Sequence, residues 1–149
     1  MNPAIARWIL LGCALLAFCP FVSAELFWDD LVVIRSDGPI ADPGSIARTW
    51  WGRCILFPEG VVYPFYRPLV DISFVLEYAV AGTTPFLYHL TNFLLHSGNI
   101  VLLTALLRRA RPGLSGWALL AAAMPFALHP MQAESVLWPA ARPAVMALF

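Results

Sequence analysis

The run PFLYHLTNFLLHSGNIVLLTALL, Pro85 to Leu107, is followed at once by RRAR, and its reading decides the fold. At about 1.5 Å per residue, a helix of ~20 apolar residues crosses a hydrocarbon core of roughly 30 Å, so this run is long enough to span a bilayer. It carries His89, Asn92, His96 and Asn99, spaced by three, four and three, which sets all four along one helical stripe. Imidazole and amide groups left against lipid are costly, so the stripe is expected to turn inward and hydrogen-bond to neighbouring helices. His89, nearer the outer end, is placed to touch a substrate or to orient an outer loop.

The composition agrees. The chain is 60% hydrophobic and 12% charged, with mean hydropathy +0.74, whereas soluble domains carry about 25% charged residues. Nine acids balance nine basic residues, all of them Arg. A net charge of zero gives no electrostatic footprint for nucleic acid. Cys13, Cys19 and Cys54 form no metal-ligand spacing and no disulfide framework.

Two further apolar segments flank this one. The first runs from Trp8 to Trp28, and the other starts at Trp117 with Pro125 inside it. The expected fold is all-α: an incomplete polytopic membrane helix bundle. Its spans are about 8–28, 85–107 and 117–133, a fourth starts near Ala144, and a long outer loop over 29–84 carries short interfacial helices. Arg7 precedes the first span, and Arg108, Arg109 and Arg111 separate the second from the third. The positive-inside rule then makes the N-terminus cytoplasmic and turns Glu25–Thr84 and His129–Ala141 outward together. A rival reading takes FVSA before Glu25 as a signal-peptidase site, which would make the product secreted or periplasmic. Against it, the apolar run is longer than a usual signal core and resumes at once in LFW.

The outer region has punctuation of its own. Asp37-Gly38-Pro39 and Asp42-Pro43-Gly44 read as turns, and Ser45 as the cap of a short helix through Trp51. Tyr66 to Gly82 reads as a helix with Pro68 in its first turn. Its acids, Asp71 and Glu77, suggest an amphipathic helix lying along the outer leaflet. Asp29 and Asp30 follow the first apolar run, just as His129, Glu134, Trp138 and Arg142 follow the third. Trp28 and Trp138 suit the aromatic belt of a membrane interface. Two acid-bearing stretches on one face are suited to hold a general base and a cation or phosphate-orienting group. A divalent cation on carboxylates of the two stretches is the cofactor the sequence leaves open; no other metal site, phosphate-binding glycine loop or nucleophile elbow is present.

FWDDLVVI, YRPLVDISFVLEYAVAGTTPFLYHLTNFLLHSGNIVLLTALLRR and FALHPMQAESVLWPAARPAVMALF, in that order, cover much of the chain. Together they resemble the N-terminal part of GT-C-fold membrane glycosyltransferases, and within these the tetratricopeptide-repeat-bearing protein O-mannosyltransferase-like family. The resemblance implies a multi-pass protein of a bacterial inner membrane or of the ER membrane. It would transfer a sugar, mannose-like, from a polyprenyl- or dolichyl-phosphate donor to an acceptor hydroxyl of protein or glycan, with protein Ser/Thr the leading acceptor. The base activating that hydroxyl carries over onto Asp29 or Asp30. Arg67, in YRPL, is implied at the donor phosphate, whose geometry suits a guanidinium. His129, Glu134 and Arg142 are implied as substrate-binding residues of the second outer stretch. Pro143 and Ala144 stand where family members commonly carry a polar or basic residue and Asp. A family enzyme also has many more spans, so this sequence is expected to be a fragment that does not turn over alone. The alternative is a non-catalytic membrane remnant or scaffold that keeps the fold.

Overall fold

A computed structural model describes residues 1–51 and 66–147, so Arg53 and Cys54 lie outside the described residues. Within these the secondary structure is helical throughout, with no strand. The described residues are all-α, as expected.

Helix α1 (Pro3–Phe18) begins where Asn2 Oδ1 accepts the Ala4 N–H at 2.8 Å, with Pro3 in its first turn. A 3-10 turn over Cys19–Phe21 ends it, because Pro20 has no N–H to offer a helical carbonyl. The first apolar run is therefore helical from Pro3 to Phe21, not from Trp8 to Trp28. Helix α2 (Asp30–Val33) and helix α3 (Ser45–Trp50) are short. Ser45 is not the cap of α3. Gly44 holds that position, and Asp42 Oδ1 closes the turn by accepting its N–H at 2.9 Å.

Helix α4 (Pro68–Ala81) matches the expected Tyr66–Gly82 segment and stops at Gly82, whose φ of 58° is open to glycine. Helix α5 (Pro85–Ala110) has Pro85 in its first turn and Arg108 and Arg109 in its last, where cations complement the helix dipole. Helix α6 (Gly116–Leu128) is capped by Ser115 Oγ, which accepts the Ala118 N–H at 3.3 Å. The expected third span, 117–133, breaks at His129. That residue precedes Pro130 and is extended (ψ 138°), so helix α7 (Met131–Leu137) starts afresh. Helix α8 (Arg142–Met146) begins two residues before the expected fourth segment.

Two helical stretches, Pro3–Phe21 and Pro85–Ala110, are long and apolar enough to cross a membrane. Only 22% and 33% of their apolar windows are buried. Ile5, Trp8, Leu15, Leu16, Leu94, Leu102 and Leu106 face outward, which suits lipid better than the core of a soluble protein. Helix α6, at about 20 Å, is too short to cross alone.

Helices α1 and α6 run side by side in the same direction: the Gly116 N–H donates to Met1 O at 3.1 Å, and small buried residues on both (Ala6, Ala14, Ala123, Ala127) allow close approach. With α5 they enclose one core of Leu10, Ala14, Phe18, Ile100, Ala123, Ala127 and Val136. A second core of Val33, Ile34, Ile40, Val70, Phe74, Val75 and Tyr88 organises the outer region around α4. The two acids of α4 do not form a solvated face. Asp71 is 1% and Glu77 7% exposed, while Leu69, Leu76 and Val80 point outward.

At Gly116 an added Cβ would stand 2.5 Å from Met1 O and 2.8 Å from Asn2 O, both backbone atoms. Gly116→Leu should therefore cost about 1–3 kcal/mol by overpacking, seen as a lower unfolding midpoint by circular dichroism in micelles. Gly113→Leu, with nothing within 4 Å, is the control expected to leave the midpoint unchanged.

Candidate functional site

The inward stripe of α5 is the frame of the site. Each polar residue pairs with a backbone carbonyl of a neighbouring segment. His96 Nε2 pairs with Ala127 O at 3.1 Å. Asn92 Nδ2 donates to Ser135 O (3.3 Å) and Trp138 O (3.1 Å). Asn99 Nδ2 donates to Val145 O at 2.9 Å, and His89 Nε2 pairs with Ala24 O at 3.1 Å. The interhelical reading of this stripe holds. His89 serves the loop after α1, being 1% exposed and bonded to that loop's carbonyl.

These anchors draw the segments after α1 and after α6 to the same end of the bundle, where they touch. The rings of Phe27 and Trp138 stack at 6.2 Å, and Trp28 meets Trp138 edge-on at 6.1 Å. Asp30 Oδ1 accepts the Ala140 N–H at 2.8 Å, 110 residues away in sequence. The tandem acids separate here. Asp30 is 0% exposed, whereas Asp29 lies on the surface. Burial pushes the Asp30 carboxyl up to about 6 against an ordinary 3.8, the bonds from Ala140 and Phe27 opposing that rise.

Arg142 does not line an open surface. It is 0% exposed, and its guanidinium is spread over protein acceptors. Nε donates to Asn92 Oδ1 (2.8 Å), Nη1 to Ser73 Oγ (2.7 Å) and Glu77 Oε2 (2.6 Å), and Nη2 to Tyr88 O (3.2 Å). Its Cζ lies 4.2 Å from the centre of the Phe74 ring. The substrate-binding expectation for Arg142 thus meets a side chain that ties α4, α5 and α8 together. Sequence reasoning missed its partners Ser73 and Glu77, and the signal was there: an acid in an otherwise apolar helix invites a buried base.

The other expected residues are on the surface. Arg67 is exposed at the start of α4, and Glu134 on α7. His129 is exposed between α6 and α7, its Nδ1 accepting the Met131 N–H at 3.2 Å, so that Nε2 carries the ring proton outward. Among the described residues no three His, Cys, Asp or Glu side chains gather as metal ligands.

Over the described residues these features are an all-helical chain with two helices long and apolar enough to cross a membrane and an acid-bearing junction at one end. Comparison with known proteins adds to them. The chain is 32% identical over 134 residues to the protein O-mannosyl-transferase Tmtc1 of Drosophila melanogaster, covering 85% of this chain and 15% of that protein. It is 32% identical to tmtc2 of Xenopus laevis and 30% identical to TMTC2 of Mus musculus, each match covering 89% of this chain and 16% of the relative. Over the stretch it covers, the chain is similar to a portion of proteins named O-mannosyl-transferases. It spans about one sixth of the length of these relatives. No protein-family profile matches it, and no solved structure does.

Two outcomes follow. Arg142→Met leaves Glu77 buried without its partner and should cost about 3–5 kcal/mol, whereas Arg142→Met with Glu77→Met together should recover most of the loss; denaturant unfolding in micelles reads both. The Asp30 value lies above its unfolded one, so the folded chain binds this proton more tightly. That contribution is fully present below about pH 4 and is lost as pH rises through about 6. The native chain should therefore gain stability relative to Asp30→Asn between pH 7 and pH 4. Asp37 and Asp42, held low by Arg35 and Arg48, act in the opposite direction but cancel in that difference.

Proposed function

We propose that the chain forms the donor- and acceptor-facing beginning of a GT-C-type, multi-pass membrane glycosyltransferase, with its N-terminus cytoplasmic and the Asp29 end of the bundle on the outer or lumenal face. The enzyme moves a mannose-like sugar from a polyprenyl- or dolichyl-phosphate donor to a protein Ser/Thr hydroxyl. The observation that carries this reading is the junction itself. The two outward stretches meet through Asp30 and Trp138, and an exposed carboxylate, Asp29, stands beside them. The names of the relatives support the class of reaction.

Exposure separates the tandem acids into roles. Asp29 is the base: it takes the proton of the acceptor hydroxyl as that oxygen bonds to the anomeric carbon. The bond from that carbon to the donor phosphate breaks, and its electron pair leaves on the lipid phosphate. Arg67 and the Nε2–H of His129 are surface donors suited to phosphate oxygens, and Glu134 is suited to sugar or acceptor hydroxyls. Arg142 and His89 position these elements from below without meeting substrate. A lipid-tethered donor presents its head group at the bilayer boundary, which is why the reacting groups sit just beyond the apolar helices.

The test is a full-length relative carrying Asn at the position of Asp29. Loss of a general base should lower sugar transfer by about 10²–10⁴-fold with little change in donor binding. Unaltered transfer would remove the assignment.

A further inference from the structure

Asp30 is the group whose burial no transfer step uses. It is fully enclosed, yet both carboxylate oxygens have backbone partners: Ala140 N–H at 2.8 Å on Oδ1 and Phe27 N–H at 3.4 Å on Oδ2. The second bond closes a tight turn, since the Asp30 N–H itself donates to Phe27 O at 3.1 Å. Reciprocal bonds of this kind resemble a capping box, in which a side chain three residues into a helix reaches back to the first free N–H. Inside the turn Trp28 has φ +50°, a left-handed conformation rare for a bulky residue and costing of order 1–3 kcal/mol unless the surroundings hold it. A free loop would relax. Here the turn is pinned on one side by Asp30 and on the other by the Trp138 ring, which both Phe27 and Trp28 touch.

We infer that Asp30 is a positioning residue: its carboxylate clips the second outer stretch, at Ala140, to the turn at Phe27–Asp30, and the clipped turn holds Asp29 outward beside Trp28. The clip joins segments 110 residues apart in sequence. It also places Ala140 just two residues before Arg142, so the junction is seated on the buried guanidinium. The part of this role that concerns catalysis rests on reading Asp29 as the base; the clip itself does not.

The experiment reads the clip without sugar transfer, so its outcome is independent of whether the transferase reading stands. Amide hydrogen exchange is measured on the purified 149-residue chain in lipid nanodiscs, for the native protein and for Asp30→Leu, Asp30→Asn and Asp29→Asn. Leucine fills the space but accepts no hydrogen bond; asparagine keeps an oxygen that does. With the clip in place, Ala140 exchanges on the order of tenfold faster in Asp30→Leu, while Ile100 in the α5 core is unchanged. Asp30→Asn restores protection of Ala140, and Asp29→Asn leaves it native. An Ala140 amide as protected in Asp30→Leu as in the native chain overturns the inference. So does equal exposure in Asp29→Asn. Should Asp30→Leu lose Ile100 protection as well, the asparagine variant decides: native-like protection of Ala140 supports the clip, and loss of it while Ile100 stays protected refutes it.

Discussion

The Arg142 guanidinium, buried at 0% exposure, is the constraint on which the rest depends. Removing such a charge from water is costly, and the fold tolerates it because acceptors meet it from every side: Glu77 and Ser73 on α4, Asn92 and Tyr88 on α5. Those partners fix where α4 lies against α5. They also fix where the chain leaving α7 must turn, because Arg142 opens α8. Ala140 and Trp138 precede it in that turn, so the place where the second outer stretch meets the first is decided by an ion pair neither stretch exposes.

A division of labour follows between the two cores. The lower one, between α1, α5 and α6, is built from small residues and aliphatic side chains, with Gly116 letting the start of α6 meet the start of α1. It aligns the helices and leaves their outer faces apolar. The upper one gathers α2, α4 and the start of α5 around Phe74 and Tyr88, whose rings stack at 5.9 Å. Carbonyl-seeking side chains of α5 join the two: His96 at the lower level, Asn92 between, His89 at the loop. On the proposed reading function is confined to the rim, where Asp29, His129 and Glu134 are exposed.

Much of this was legible in the sequence. The stripe from His89 to Asn99 pointed inward because polar groups three and four apart share a helix face, and each does hold a carbonyl. The helix over α4 was announced by Pro68 and closed by Gly82. What was not legible depended on distant partners. Asp71 and Glu77 read as marks of an interfacial amphipathic helix because their distant partners, Thr49 for Asp71 and Arg142, 65 residues from Glu77, are invisible to any local pattern. Asp29 and Asp30 are chemically identical neighbours, and burial, with the Ala140 and Phe27 amides on Asp30, tells them apart. The break at His129 is a different case: Pro130 signalled it, but the apolar pattern continued past it and masked the signal. Arg67 and Glu134 were singled out by resemblance, and both lie on the surface.

Everything depends on the stretches after α1 and after α6 being in contact at one end of the bundle. The most direct measurement is cross-linking of cysteines placed at Phe27 and Trp138, whose rings lie 6.2 Å apart, in a chain freed of Cys13, Cys19 and Cys54 and held in native membranes. Contact between the stretches should give efficient intramolecular cross-linking by a short, membrane-impermeant bifunctional thiol reagent added from the outer side. No cross-link with both thiols reactive, or labelling of the two cysteines from opposite sides of the membrane, would contradict it.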